Sequence, residues 1–234
     1  MRVWASAILA ASLVGCGRPP VQSTLGLELQ SAEPFVLHRW SFDPAPHLQT
    51  PEAPSPIQAS TPHDRFLAVY GRWRIEKDAT APSAPHVLEQ DGTNVEPARI
   101  LVERLGFKSA IVRTSCRVDA PAASCGLVFG ARAEDDYYVA RVEPANHVVR
   151  LVHVVGAVEQ ELATSSASVD PSRWVQLSVW TRRGDTFVSV DGTVVLSSLA
   201  EPQLAATTLG RVGLFAHGPA SFDDLAAMEI ERPK

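Results

Sequence analysis

The sequence predicts an all-β protein built as a two-sheet antiparallel sandwich. From Phe66 onward, short segments rich in Val, Ile, Tyr, Phe and Trp follow one another, and several alternate in polarity. Turn residues separate these segments, and Asp191-Gly192, between two such runs, is a strong hairpin signal. Only residues 199–209 have the length for a short helix, and Pro202 weakens that interpretation. Many short strands with little helix are typical of a sandwich or jelly roll.

The predicted strands begin before a proline-rich loop and resume after it. This loop, from 44 to 62, cannot supply a regular ladder of backbone donors, because proline has no amide hydrogen. The predicted strands lie at 35–42, 66–75, 99–102, 109–118, 126–133, 137–143, 147–155, 159–164, 174–182, 186–190, 193–198, 210–216 and 220–231.

The amino-terminal residues carry a signal for export. Arg2 precedes an apolar run, 3–14, that is too short to span a bilayer as a helix, which needs roughly 20 residues. A positive start, a short apolar core and small residues before a cleavage site are typical of a secretory signal peptide. Residues 13–16, with the sequence LVGC, resemble a bacterial lipobox. The resemblance implies that Cys16 is lipidated after removal of residues 1–15; the alternative is an ordinary signal peptide with a chance cysteine.

A lipidated Cys16 would anchor the protein to a membrane, since acyl chains contribute about 0.8 kcal/mol per buried methylene. Residues 16–32 then form a flexible tether, and residues 33–232 form the folded domain. Gly17 is not the aspartate associated with inner-membrane retention. In a bacterium with two membranes we therefore expect an exported protein on the outer membrane, facing the periplasm or the cell surface.

The charge distribution argues against nucleic acid as a partner. The formal net charge is −5, and acidic and basic residues are interspersed without a long basic block. Binding to phosphate backbones needs concentrated Lys and Arg. We expect a monomer whose partners are the membrane and a glycan or an envelope protein.

Two cysteines, Cys116 and Cys125, remain after the signal peptide. Because an exported chain matures in an oxidising compartment, the pair is a disulfide candidate. The two residues flank the turn-like segment 119–121, so the bridge is expected to staple the tip of a hairpin. Two free buried thiols are the alternative. No histidine or second cysteine pair stands at zinc-finger spacing.

The strand at 174–182 presents a candidate sugar platform. Alternation places Val175, Leu177 and Val179 toward the core, so Gln176, Ser178 and Trp180 share the opposite face with Trp174. An indole beside hydroxyl and amide groups suits a sugar. The alternative is that a loop or an edge strand covers this tryptophan.

A series of motifs resembles one known family. The motifs are WSFD at 40–43, GRWRI at 71–75, HVLEQ at 86–90, GLVFG at 126–130, DDYYVAR at 135–141, VVRLV at 148–152, RWVQL at 173–177, FVSVDG at 187–192, GRVGLF at 210–215 and FDDL at 222–225. Their succession resembles the concanavalin A-like, laminin-G-like jelly rolls of the 3-keto-disaccharide hydrolase domain family, over residues 33–231. The motifs are mostly architectural, so they indicate fold better than function.

The resemblance implies two stacked sheets with one concave face. Members commonly bind glycans on that face or on the rim loops, some bind calcium at the rim, and hydrolysis belongs to part of the family only. Tyr137, Arg141, Asn146 and Arg150 lie where the resemblance is tightest, and they are candidate ligand-binding residues because aromatic, guanidinium and amide groups suit a polyhydroxylated ligand. The alternative is a structural salt bridge between Arg141 and an acid such as Glu143.

Acidic clusters are candidates for calcium, which prefers six to eight oxygen ligands. Asp223 and Asp224 are the better candidate, and residues 134–136 are the second. Acids at strand ends are more often turn formers, and no EF-hand pattern is present. No cofactor is certain.

The sequence contains no complete catalytic set. Glu89 and Asp91 have the spacing of a retaining jelly-roll glycosidase pair, yet a turn follows and a third acid is missing. His217, at a strand end, has no identifiable acid or nucleophile beside it. We therefore expect a jelly-roll binding module for carbohydrate or an envelope partner, without catalysis. The alternatives are a glycoside hydrolase of the 3-keto-disaccharide type and a structural envelope protein.

Overall fold

The computed structural model describes residues 37–40, 42, 66–83, 85–92, 96–107, 109–182, 184–198 and 210–230. The predicted signal peptide, Cys16, the tether, the proline-rich loop and the 199–209 segment lie outside these residues. Among the described residues, no helix is long and apolar enough to cross a membrane. A single 3₁₀ turn, Pro144–Asn146, interrupts the strands of this part of the chain.

The described residues form two antiparallel sheets, as predicted for a two-sheet sandwich. Sheet I contains β1 (Leu37–Trp40), β3 (Trp73–Lys77), β4 (His86–Gln90), β6 (Ala110–Val118), β11 (Val175–Arg182), β12 (Asp185–Val190), β13 (Thr193–Ser198) and β15 (Ala220–Glu229). Sheet II contains β2 (Phe66–Tyr70), β5 (Ala98–Phe107), β7 (Ser124–Ala133), β8 (Asp136–Glu143), β9 (Val148–Val155), β10 (Val158–Ser166) and β14 (Gly210–His217).

Strand order differs from chain order in both sheets, as a jelly roll requires. Sheet I runs β13-β12-β11-β6-β15-β4-β3, and β1 pairs with β15 beyond the stretch that β4 uses. Sheet II runs β10-β9-β8-β7-β14-β5-β2. The hairpins β11–β12, β12–β13 and β8–β9 join strands that are consecutive in the chain. In contrast, β14 and β15, from the end of the chain, lie between earlier strands in the interior of the two sheets.

The inner faces of the two sheets share one hydrophobic core. Val175, Leu177 and Val179 of β11 are buried, as their alternation predicts. Leu151 of β9 and Leu214 of β14 belong to the same cluster from the other sheet. At roughly 25 cal/mol per Å² of buried apolar surface, this layer supplies the main favourable term of folding.

The predicted strand at 66–75 is in fact two strands in different sheets. β2 pairs with β5 in sheet II, and β3 pairs with β4 in sheet I. Between them Gly71 has a φ of 97°, a left-handed conformation that favours glycine, and it turns the chain from one sheet to the other. The sequence pattern missed this break because both halves are apolar and β-prone.

The predicted disulfide is present between Cys116 and Cys125. Its expected place at the tip of a hairpin is wrong, because β6 belongs to sheet I and β7 to sheet II. Both cysteines are buried in the core. The bridge therefore ties the two sheets together where the chain crosses between them.

Reduction of this bridge should destabilise the domain. A closed loop of this size restricts the unfolded chain, which is worth about 2 to 3 kcal/mol of unfolding free energy in the loop-entropy model. We expect urea unfolding to shift to a lower midpoint when the protein is reduced, and Cys116→Ala/Cys125→Ala to show a similar shift with no further response to reductant. An unchanged midpoint on reduction would contradict the role given to the bridge.

Candidate functional site

A pocket of about 360 Å³ opens on the outer face of sheet I. It lies where β6, β15, β4 and β3 run side by side, and backbone register aligns Arg117 with Ser221, Ser221 with Glu89, and Glu89 with Arg74. The volume falls in the range of small-molecule sites. The lining residues are Glu76, Lys77, Asp78, Thr80, Val87, Glu89, Arg117, Asp119 and Ser221.

Arg117 is the centre of the polar network in this pocket. Its Nε donates to Asp119 at 2.8 Å, and its Nη1 lies 2.8 Å from the Asp78 carboxylate and 3.0 Å from the Thr80 hydroxyl. The Ser221 hydroxyl donates to the other oxygen of Asp119 at 2.8 Å. One guanidinium thus bridges two carboxylates on different segments, which fixes its plane.

An aromatic ring adjoins this network. The Arg117 guanidinium carbon lies 4.9 Å from the centre of the Trp174 ring, within cation–π distance. The Trp174 indole nitrogen donates to the Thr80 hydroxyl at 3.3 Å. Trp174 is only partly buried, so part of its ring remains available beside the pocket.

The loop between β3 and β4 forms one wall of the pocket. Hydrogen bonds within the loop fix its shape, and one residue of β15 binds it to the sheet. Thr80 donates to Asp78 from its amide at 2.7 Å and from its hydroxyl at 2.6 Å, and the Asp78 amide donates to Pro85 at 2.9 Å. Further along, the amide and hydroxyl of Ser83 each donate to Asp223 of β15 at 2.6 Å. Asp223 therefore holds the loop against the sheet.

Charge in the pocket is stabilised by these contacts. Burial disfavours the ionised form of Asp78, but the hydrogen bonds from Thr80 and the charge of Arg117 outweigh burial and lower the pKa of this carboxyl. Burial likewise opposes the charge of Arg117, and its bonds to Asp119 and Asp78 outweigh burial and raise the Arg117 pKa. Asp78 and Arg117 are therefore both charged at neutral pH.

The predicted ligand-binding residues do not converge on one surface. Gln176, Ser178 and Trp180 lie on the outer face of sheet I, the face that carries the pocket, because their neighbours on β11 point into the core. The other four predicted residues belong to sheet II and the turn after β8; they are Tyr137, Arg141, Asn146 and Arg150. The two sets lie on opposite sides of the sandwich.

Trp180 lies in an apolar row at the end of sheet I away from the pocket. Register places it directly beside Ile111 and Phe187, and Ile111 is beside Met228, which faces Leu37. The Trp180 and Phe187 rings stack with their centres 5.1 Å apart. Ile111 and Arg117 are six positions apart on β6, about 20 Å at 3.3 Å per residue. Trp180 and the pocket are therefore separate features of one face.

On sheet II, Arg141 forms the salt bridges that the sequence offered as its alternative role. Its Nε donates to Glu143 at 2.7 Å, and its two amino groups hold Glu159 at 2.6 and 2.9 Å. Arg150 bridges Glu143 at 3.1 Å and Glu161 at 2.6 Å, and Asn146 donates to Glu143 at 2.9 Å. The three predicted polar residues are thus joined in one ladder across β8, β9 and β10.

The apolar side chains beside this ladder are covered. Tyr137 is buried in a second cluster on the outer face of sheet II, with Val139, Val152 and Phe215. The Arg141 guanidinium lies 5.5 Å from the centre of the Phe215 ring. Burial raises the pKa of the Tyr137 hydroxyl, which accepts a hydrogen bond from Arg99 at 3.1 Å.

The predicted calcium ligands have protein partners. Asp223 accepts the bonds from Ser83, and Asp224 pairs with Arg39 at 2.7 Å. In the second cluster Asp136 pairs with Arg132 at 3.0 Å and lies 3.1 Å from His153. The described residues contain no group of three His, Cys, Asp or Glu that could hold a metal ion. Calcium thus has no supporting geometry in this part of the chain.

Glu89 and Asp91, the two acids with the spacing of a glycosidase pair, lie in different surroundings. Glu89 lines the pocket and accepts a bond from Arg74 at 3.1 Å, whereas Asp91 lies beyond β4, 4.0 Å from Arg72. His217 ends β14 in sheet II and is exposed. Neither Asp91 nor His217 lines the pocket.

Sequence reasoning missed Asp78, Thr80, Arg117, Asp119 and Ser221. The sequence did carry one signal for Arg117. Its neighbours on β6 are core residues, so alternation points Arg117 outward, on the same face as Trp174. The pairing of β6 with β15, and the folding of the β3–β4 loop onto them, join residues up to 140 positions apart. No local pattern reports such contacts.

The ion pairs and hydrogen bonds around Glu143 on sheet II predict a pH dependence of the free energy of unfolding. Burial opposes the charge of Glu143, but bonds from Asn146 and Arg141 outweigh burial and lower its pKa from 4.5. Its stabilisation is therefore complete above pH 4.5 and is lost as pH falls through the lower folded-state pKa. We expect Glu143→Gln to lower the free energy of unfolding at pH 7 by about 1 to 3 kcal/mol.

This deficit should shrink as pH falls below 4.5, because the wild-type glutamate then becomes neutral as well. Urea unfolding at several pH values measures it, with the exposed Glu134→Gln as the control. A deficit that stays constant down to pH 2 would contradict the assigned shift.

Comparisons with known proteins show the fold. No protein-family model matches the chain. No curated protein matches it either. The carbohydrate binding module CBM66 from Bacillus subtilis is similar in structure, with a TM-score of 0.57 and 14% identity over 70% of this chain and 95% of that one. A Bacillus subtilis protein with a galectin-like fold has a TM-score of 0.53 and 16% identity over 73% and 91%.

The transglycosylase Crh5 is similar as well, with a TM-score of 0.54 and 10% identity over 84% of this chain and 85% of that one. At such identities the likeness concerns architecture alone. The described part of the chain is therefore an antiparallel jelly roll of the concanavalin A-like and galectin-like kind.

Proposed function

We propose that this protein is an exported lipoprotein whose jelly-roll domain binds carbohydrate through the pocket on sheet I, without catalysis. The observation that carries the proposal is the contact of the Arg117 guanidinium with the partly exposed Trp174 ring, at the edge of a pocket lined by carboxylates and hydroxyls.

A sugar ring offers two kinds of surface, and the pocket together with the adjoining Trp174 ring offers a partner for each. Its apolar C–H face packs against an aromatic ring, and its hydroxyls both donate and accept hydrogen bonds. Carboxylates such as Glu89 accept from hydroxyls, and the Arg117 guanidinium donates to them. Because Arg117 is already fixed by Asp78 and Asp119, little ordering is needed on binding.

The structural relatives support this proposal without identifying a ligand. One is a carbohydrate binding module and one is a transglycosylase, so the same architecture serves carbohydrate chemistry in both. The resemblance of the motifs to the 3-keto-disaccharide hydrolase domain family points in the same direction.

Substitutions at three places on the two outer faces test the location of binding. We expect Trp174→Ala to weaken binding of the best ligand on a glycan array about tenfold or more, because the stacked ring is lost. Trp180→Ala, at the far end of the same face, and Arg141→Ala, on sheet II, serve as matched comparisons. If Trp180→Ala or Arg141→Ala abolishes binding while Trp174→Ala does not, the site belongs to the residues predicted from sequence instead.

The lipid anchor is tested by its chemistry. Intact mass spectrometry of the protein from a bacterial host should show a chain that begins at residue 16 and carries added acyl mass. The Cys16→Ser variant should lack that mass and should not incorporate labelled palmitate. A mature chain with a free Cys16 thiol, or cleavage at another residue, would contradict the lipoprotein assignment.

A glycoside hydrolase is the second candidate, because Asp78 and Asp119 both face the pocket around one arginine. A glycosidase acid needs a raised pKa, and the Asp78 pKa is lowered instead. Release of reducing sugar during the binding measurements, including from 3-keto-disaccharides, would favour the hydrolase. An intact fold that binds no glycan at millimolar concentration would favour a structural envelope protein.

A further inference from the structure

Carboxylates outnumber cations among the charged groups that line the pocket. Four carboxylates line it, from Glu76, Asp78, Glu89 and Asp119, against the cationic groups of Lys77 and Arg117. A third cation, Arg74, adjoins the pocket but pairs with Glu76 and Glu89, each at 3.1 Å. With Arg74 included, four carboxylates face three cations, so the pocket and its edge carry one net negative charge.

The central cation is already engaged by protein carboxylates. Arg117 uses Nε for Asp119 and Nη1 for Asp78 and Thr80. Within the described part of the chain its other amino group, Nη2, forms no hydrogen bond. A ligand hydroxyl can accept from Nη2 without disturbing the two ion pairs. A ligand carboxylate would have to compete with Asp78 and Asp119 for the same charge.

Asp78, one of the two carboxylates bound to Arg117, keeps its charge when the pH falls mildly below neutral. The pKa of Asp78 is lowered, since the bonds from Thr80 and the charge of Arg117 outweigh its burial. Mild acidification therefore does not neutralise this carboxylate. The repulsion that it exerts on another anion persists under the conditions of a cell envelope.

We infer that the pocket selects uncharged or amine-bearing sugars and rejects acidic ones such as uronates. The inference rests on the proposed function, because it assigns the chemical class of the sugar bound at that same site. Hydroxyls or an ammonium group can bond to Glu76, Glu89 and Asp119, whereas a carboxylate or sulfate meets like charge at the same positions.

Matched oligosaccharides test this selection. The probes are tetramers of glucose, glucosamine and glucuronate in β-1,4, β-1,3 and α-1,4 linkage, titrated into the full-length protein by calorimetry. Within the linkage that binds, we expect the glucosamine and glucose tetramers to bind at least tenfold more tightly than the glucuronate tetramer.

Charge reversal at the rim sharpens the test. Glu76 keeps 47% of its side chain exposed, so Glu76→Lys should leave the fold intact even though it removes the exposed ion pair with Arg74. We expect this variant to bind the glucuronate tetramer about three- to fivefold more tightly, and the glucosamine tetramer correspondingly more weakly, at low salt. The change should shrink at high ionic strength, since salt screens exposed charges.

Glu103→Lys provides the matched control, because this exposed glutamate lies on β5 in sheet II and changes the net charge equally. It should leave all affinities unchanged. Equal effects of both variants would mean that overall charge, and not the pocket, selects the ligand, and would overturn the inference.

The outcomes separate the inference from the proposed function. Preference for glucuronate with binding lost in Trp174→Ala would overturn the charge selection and keep the carbohydrate site. Absence of binding by every tetramer, and by a glycan array, would overturn both.

Discussion

The crossing from β6 to β7 is the constraint on which this structure depends. The strand β6 lies in the middle of sheet I and β7 in the middle of sheet II, and the disulfide between Cys116 and Cys125 joins them at the crossing. Strand alternation turns Cys116 into the core and the next residue, Arg117, to the outer face. Cys116, which joins the two sheets, and Arg117, at the centre of the pocket, are thus neighbours on one strand.

The pocket follows from this placement together with one loop. Arg117 reaches Asp78 and Asp119, while Ser83 of the same β3–β4 loop is held by the buried Asp223 of β15. A charged network held by strands and a fastened loop is pre-organised, so the proposed binding of a sugar would not need to order it. The opposite face of the sandwich shows the contrasting use of similar residues. There Arg141 and Arg150 are joined to Glu143, Glu159 and Glu161 across three strands.

The fold was largely predictable because its signal is local. Alternation identified the inward residues of β11, and the Asp191-Gly192 turn, with positive φ at both residues, joins β12 to β13 as expected. The exceptions have a physical cause. Gly71 redirects an apolar segment into another sheet, and a nine-residue separation between cysteines concealed a crossing between sheets.

The site was predictable only in part, because it depends on pairing between distant strands. Alternation predicted that Gln176, Ser178 and Trp180 share one face of their strand, and they lie on the outer face of sheet I that carries the pocket, with Trp180 at the end away from it. Arg141 has a residue type that suits a sugar site, yet whether an arginine meets a ligand or a glutamate depends on how the strands are ordered in the sheet. Here Glu143 on the same strand and Glu159 on β10, two strands away, take up the guanidinium.

NMR titration of the labelled full-length protein with the oligosaccharide that binds most tightly is the most direct test of the proposed site. We expect the Trp174 indole and the Arg117 Nε–H resonances to shift together along one saturating curve, while those of Trp180 and Arg141 stay unchanged. Shifts confined to Trp180 or to Arg141, with Trp174 and Arg117 unaffected at saturation, would contradict it.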